Sequence, residues 1–323
     1  MTPRAVSAPS PVSSTSSHTS PPSPARRPPF KATNLLYGLV PWLFLITGPY
    51  LIILHAAQSI GLSRELLSSW FMAGPMTGGL ITILLSVFYR VPVCSSLTVP
   101  GTLLALSTLA HIPFSEAVGA FMMTGLLVCL LAVSGAAERL VNYLPLPIVF
   151  AMVAGVFSPY VVGIPSAFQE SPWVVGFAFL VFVLSTKFQS RLGGVPPTFF
   201  AALLGILWAS CLGYVDWSQF PFELAKPVIT LPQFTWRGLV SLSLPLTLMV
   251  VGVHGTQSAG ITRGCGLPYA TRAYTLTVGA ATIPVALLGS SPLCILGPPT
   301  AMLLTGVKDG QDDGRWAGAE LPS

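Results

Sequence analysis

Apolar runs long enough to cross a bilayer follow one another along most of this chain, and charge is nearly absent from them. A helix of about 20 apolar residues spans the hydrocarbon layer and satisfies its own backbone polar groups. We read the runs as 34–58, 66–89, 99–111, 116–136, 143–163, 172–186, 196–214, 238–261, 273–290 and 297–307. Charged residues are 8% of the 323, against roughly 25% in a soluble domain. The expected fold class is an all-α polytopic membrane protein. A soluble enzyme and a nucleic-acid binder are excluded. The five cysteines (Cys94, Cys129, Cys211, Cys265, Cys294) form no CxxC and no Cys/His cluster. We therefore expect no metal, no cofactor and no catalytic residue.

Residues 1–32 are rich in Pro and Ser and cannot bury a core, so they read as a disordered cytoplasmic tail. Lys and Arg then orient the runs. With the tail inside and each run crossing once, Arg64, Lys226 and Arg237 fall outside and the other twelve of the fifteen fall inside. That asymmetry is the one expected of a multi-pass protein of the cell membrane with a cytoplasmic N-terminus.

Two runs, 99–111 and 297–307, are too short to cross. Each follows an uncharged, proline-containing stretch, PVCSSLTVPG and SSPLCILGPP, which reads as extended backbone leading into a half-helix. Irregular backbone at membrane depth survives only inside protein or beside a cavity. The two stretches also belong to a repeat. HAAQSIGLSR (55–64) matches HGTQSAGITR (254–263) at an offset of 199, and Pro92-Val-Cys94 matches Pro292-Leu-Cys294 at an offset of 200. The unit contains seven runs, an odd number, so the second copy enters the membrane inverted, as in secondary transporters. The expected organisation is a first seven-segment repeat over 33–214, an extracytoplasmic linker over 215–237, and the start of a second, inverted repeat over 238–307. A polar tail fills 308–323. By this arithmetic the second repeat is incomplete, about four segments short.

Facing half-helix N-termini form an anion site without a buried Lys or Arg, because first-turn N–H groups and the helix dipole are electropositive there. Pro100, Gly101 and Thr102 begin one half-helix, and Gly297, Pro298, Pro299 and Thr300 begin the other. Thr102 and Thr300 can add hydroxyl donors. His254 and Gln257, three residues apart, share a helix face inside a run. His254 either binds substrate or carries a proton, or it is satisfied by a neighbouring helix or sits nearer the interface; the residues alone leave these open. Glu116 follows Ser115 at a segment start and suits helix capping ahead of proton relay. His55, Gln58 and His111 read as structural or interfacial. Glu138 and Arg139 read as solvated loop residues.

The order TGPYLIILHAAQ, YRVPVCSSLTVPGTLLAL, SEAVGAFMMTGLL, LPLPIVFAMVAGV over residues 33–307 resembles the benzoate:proton symporter (BenE) family. That family resembles a branch of the larger fold of uracil permeases and sulfate/bicarbonate transporters, seven plus seven inverted segments split into core and gate. The resemblance implies a small organic anion as substrate, protons as the coupling partner, frequent homodimers, and a site between the third and tenth segments. Nucleobase carriers place carboxylates where this chain has Val253 and Pro298, and their absence suits a carboxylate ligand better than a nucleobase. The expected function is proton-coupled transport of benzoate or a related aromatic carboxylate. An inorganic-anion or other carboxylate carrier of the same fold, or a shortened, non-transporting fragment, is the alternative.

Overall fold

A proline sets the first break in the chain. The computed structural model describes residues 41–145, 161–188, 197–215 and 225–309, with scattered helical positions between 147 and 158. The expectations for residues 1–32, for most of the 143–163 run and for the tail beyond 309 fall outside the described residues. Helix α1 (Pro41–Ser59) turns at Gly48, because Pro49 has no N–H to continue the ladder. Helix α2 (Arg64–Tyr89) starts on Ser63, whose Oγ accepts from the Leu66 N–H at 3.3 Å, with Glu65 in the first turn. It stops at Arg90, which takes the left-handed conformation at φ 55.

Strand β1 (Ser95–Leu97) follows, then helix α3 (Val99–Leu109) and helix α4 (Phe114–Val133). Helix α5 (Ala136–Tyr143) corrects the loop expected around Glu138 and Arg139. Both are exposed as expected, but they lie on a short amphipathic helix whose buried side is Ala137 and Val141. The hydrophobic period there is only two turns long, too short to stand out from a loop. Helices α6 (Ile164–Glu170), α7 (Pro172–Lys187) and α8 (Pro197–Cys211) come next. Phe177 of α7 stacks on Trp208 of α8 with ring centroids 5.0 Å apart. Phe179, Leu180, Leu203 and Ile206 of this pair stay exposed, the pattern of helices whose outer surface meets lipid.

Residues 225–235 are extended and fasten three helix ends. The Val228 N–H donates to Ser69 Oγ (2.9 Å) on α2, the Thr230 N–H to the Leu287 carbonyl (2.8 Å), and the Gln233 N–H to the Ser115 carbonyl (2.9 Å). Helix α9 (Trp236–Gly264) follows. It carries two π-helical stretches, Leu239–Ser243 and Leu248–Gly255. Helix α10 (Thr271–Leu287), strand β2 (Leu293–Ile295) and helix α11 (Gly297–Asp309) complete the described chain.

Four helices (α1, α2, α4 and α9) are long and apolar enough to cross a membrane, and α3, α7 and α8 are shorter apolar helices. The chain is an integral multi-pass membrane protein. Helix α9 is the most enclosed of the four, with 67% of its apolar window buried against 28% for α2. Helix α4 packs along α10. Gly125 and Gly279 permit the approach: a Cβ on Gly125 would lie 2.9 Å from the Gly279 carbonyl oxygen. Small residues serve this purpose between membrane helices, where lipid is as apolar as leucine and close backbone packing supplies the attraction.

Between these helices, β1 and β2 pair antiparallel, with Ser95 opposite Ile295, Ser96 opposite Cys294 and Leu97 opposite Leu293. The two stretches expected to be extended are therefore one buried ribbon, and each strand runs straight into a short helix. All six ribbon residues are buried.

Candidate substrate site

Strands inside a membrane leave backbone groups unpaired beyond the ribbon, and hydroxyls on the neighbouring helices take them up. Thr82 on α2 accepts from the Ser95 N–H (2.7 Å), and Thr282 on α10 accepts from the Leu293 N–H (3.0 Å). These threonines are 200 residues apart, the offset of the sequence matches. A Thr/Thr coincidence in apolar sequence is too weak a signal to be found without the hydrogen bonds.

The starts of α3 and α11 are cross-tied. Thr98 is the N-cap of α3: its Oγ1 accepts from the Gly101 N–H at 3.2 Å. Thr102 Oγ1 donates to the Thr98 carbonyl (2.6 Å), so its 2.5 Å contact with Ser291 has the serine as donor. Thr300, in the first turn of α11, accepts from the Cys94 N–H at 2.9 Å. Each half-helix thus holds the stretch that leads into the other's strand. This corrects the expectation for Thr102, whose proton is already given to backbone. Thr300 has an acceptor lone pair taken up by Cys94.

Prolines also thin out the backbone donors. Pro100, Pro298 and Pro299 have no N–H, and the Gly101 N–H is used by Thr98. The Thr300 N–H is used by the Leu296 carbonyl. Among the described residues, the Val99 and Gly297 N–H groups are what remain in the two first turns. Pro100, Gly101, Gly297 and Pro299 are buried, whereas Pro298 is exposed.

One turn of α9 spans both helix starts. His254 Nε2 lies 2.8 Å from Thr98 Oγ1, and His254 is 4% exposed. Gln257 lies against Gly297, where an added Cβ would come within 2.5 Å of its Cγ. The two side chains are three residues apart, about 4.5 Å along a helix axis, so the beginnings of α3 and α11 both reach that turn. The Gln257 amide has no hydrogen-bond partner among the described residues, and His254 Nδ1 is buried without one. His254 lies in the second π-helical stretch. Such widened turns recur at functional sites because they re-aim side chains, and nothing in the sequence marked this one.

The surroundings are apolar. Leu246 lies against Gly101, and Val253 is 1% exposed. Tyr50 of α1 reaches the ribbon, its hydroxyl 2.5 Å from Ser96 Oγ. Arg64, Arg90, Arg139, Lys187, Lys226, Arg237, Arg263 and Arg272 are all exposed, so the local positive potential comes from backbone donors and helix ends. Glu116 is a buried acid, and it lies elsewhere: its carboxylate accepts from Thr235 Oγ1, the N-cap of α9. Glu116 sits in the first turn of α4, as expected, but the cap it supports belongs to another helix. His55, Gln58 and His111 are exposed.

The family model described as benzoate membrane transport protein matches residues 29–321. The chain belongs to that family. It is similar to the benzoate membrane transport protein of Acinetobacter baylyi (strain ATCC 33305 / BD413 / ADP1), at 26% identity over 212 residues. That match covers 66% of this chain and 53% of the relative. It is also similar to the inner membrane protein YdcO of Escherichia coli (strain K12), at 25% identity over 233 residues, 72% of this chain and 59% of the relative. The chain therefore spans a little over half the length of the curated relatives it matches. That family is one of membrane transport proteins.

Proposed function

We propose that this chain carries the substrate site of a secondary active transporter for a small organic anion, benzoate or a related aromatic carboxylate. Protons are the coupling ion and alternating access the mode. The observation that carries the reading is the single turn of α9 whose His254 and Gln257 reach the starts of α3 and α11. The free donors there are the Val99 and Gly297 N–H groups and the Gln257 amide, and among the acids with described burial none is buried alongside. Backbone N–H donors with no carboxylate acceptor beside them suit a carboxylate, which only accepts, better than a nucleobase, whose N–H groups need acceptors. The apolar wall that includes Leu246 and Val253 suits an aromatic ring. Pro100, Gly101, Thr102, Pro299 and Thr300 hold the two starts in place; His254 and Gln257 meet the substrate; Pro298 has no assigned contact.

The ribbon, the 199–200 offset and the Thr82/Thr282 pair support a seven-segment inverted repeat; the Lys and Arg partition supports a cytoplasmic N-terminus, and the resemblance implies a homodimer. The fold of uracil permeases and sulfate/bicarbonate transporters is the parent we assign. The test is uptake of labelled benzoate into proteoliposomes under an inward proton gradient, with sulfate and uracil as competitors. Saturable uptake blocked by unlabelled benzoate alone is expected. Because the chain spans a little over half of its relatives, the same assay is run on a version extended to their length. Uptake only by the extended version assigns the present chain to binding without transport, and no uptake by either removes the benzoate assignment.

A further inference from the structure

The groups around Thr98 bear on which nitrogen of His254 carries its proton. Thr98 Oγ1 accepts from the Gly101 N–H at 3.2 Å, so one lone pair is committed to the α3 cap. The same oxygen lies 2.8 Å from His254 Nε2. A hydroxyl has one proton to give. Beside it are two acceptors, the imidazole nitrogen and the Cys294 thiol. Sulfur is the weaker acceptor, so the proton goes to nitrogen. With Nε2 accepting, the proton of a neutral ring sits on Nδ1. Nδ1 is buried and has no partner, on a residue 4% exposed. An unmade hydrogen bond at a buried N–H is costly, and a ligand acceptor removes that cost.

We propose that Thr98 is a positioning residue for substrate recognition. By donating to Nε2 it holds His254 as the Nδ1–H tautomer, and that N–H is a donor reserved for a carboxylate oxygen of the substrate. The inference rests on the transport reading for its ligand, but not for the tautomer. Thr98 links two tasks in one hydroxyl: it caps α3 and sets the polarity of the α9 histidine. A neutral Nδ1–H selects an ionised carboxylate over an uncharged ligand that offers only donors.

The test is nitrogen-15 solid-state NMR of the full chain in lipid bilayers, with labelled histidine and His254→Gln to assign the signal. The expected resting state at neutral pH is a neutral ring protonated at Nδ1. Thr98→Val removes the donor to Nε2 and is expected to bring in the Nε2–H tautomer, while Thr98→Ser restores Nδ1–H. Addition of benzoate is expected to move the Nδ1 resonance in the unmodified chain. Its affinity is expected to fall about tenfold in Thr98→Val and to stay close to the original in Thr98→Ser. An Nε2–H or doubly protonated ring in the resting chain would overturn the proposal, as would an unchanged tautomer in Thr98→Val. Benzoate that binds without moving Nδ1 overturns the substrate contact. Failure of benzoate to bind while the ring is Nδ1–H supports the Thr98 assignment and sinks the transport reading instead.

Discussion

At the residue scale, the site depends on a glycine because another side chain already fills the space beside it. An alanine at 297 would place its Cβ 2.5 Å from Gln257 Cγ and 2.7 Å from its Oε1. Gln257 is flexible and must swing away, so the amide leaves the start of α11. Gly297→Ala is therefore expected to weaken benzoate binding by about tenfold, equivalent to about 1.4 kcal/mol, with a normal melting profile. Gln257→Ala should cost a similar amount, and the double variant no more than either single, because both changes remove one contact. Titration of the purified variants measures this, and additive losses would show that the two residues act separately. The sequence indicated Gly297 and Gln257 separately through the repeat and the polar spacing. Their contact was not legible, since a helix face does not say what it faces.

At the element scale, Glu116 and Gly119 show how α4 receives the segment that enters α9. A Cβ on Gly119 would lie 2.2 Å from the Gln233 carbonyl oxygen, so glycine is what lets the extended segment lie on the helix. One turn away, the Glu116 carboxylate accepts from Thr235, and Thr235 accepts from the Gly238 N–H at 2.9 Å. Thr235→Val loses the α9 cap and strands a buried acid, at an expected cost of about 1–3 kcal/mol, seen as a lower melting temperature in detergent. Gly119→Ala should destabilise by about 1–3 kcal/mol through overpacking. Glu116→Gln keeps an acceptor for Thr235 and is expected to retain proton-driven benzoate uptake in the competent version. Loss of that uptake, with exchange of benzoate preserved, would move Glu116 into the proton path. The sequence placed Glu116 at a helix start, but the helix it helps to cap lies about 120 residues further on, beyond the reach of local pattern.

At the scale of the whole molecule, the positions of the broken segments follow from composition, because a short apolar run flanked by prolines cannot cross a bilayer as a helix. The expected starts of the short helices at 99 and 297 agree with α3 and α11. Orientation is testable with single cysteines in a cysteine-free background. A cysteine at Lys226 is expected to react with an impermeant maleimide from outside, and one at Arg139 or Lys187 only after permeabilisation. The reverse pattern would invert the assigned topology. Both ends of this comparison are exposed in the structure, so burial does not mask the reagent.

Hydropathy, lysine and arginine placement and the 199–200 offset are one-dimensional quantities, and from them the chain alone determined its membrane class and the two sites of broken backbone. The β1–β2 pairing, the exchange of Thr102 and Thr300 between the half-helices, the π-helical turn under His254 and the Thr98–His254 bond belong to the tertiary structure. Each joins groups far apart along the chain whose partners are chosen by packing, and hydroxyl or amide groups carry no local signal of which distant atom they will satisfy.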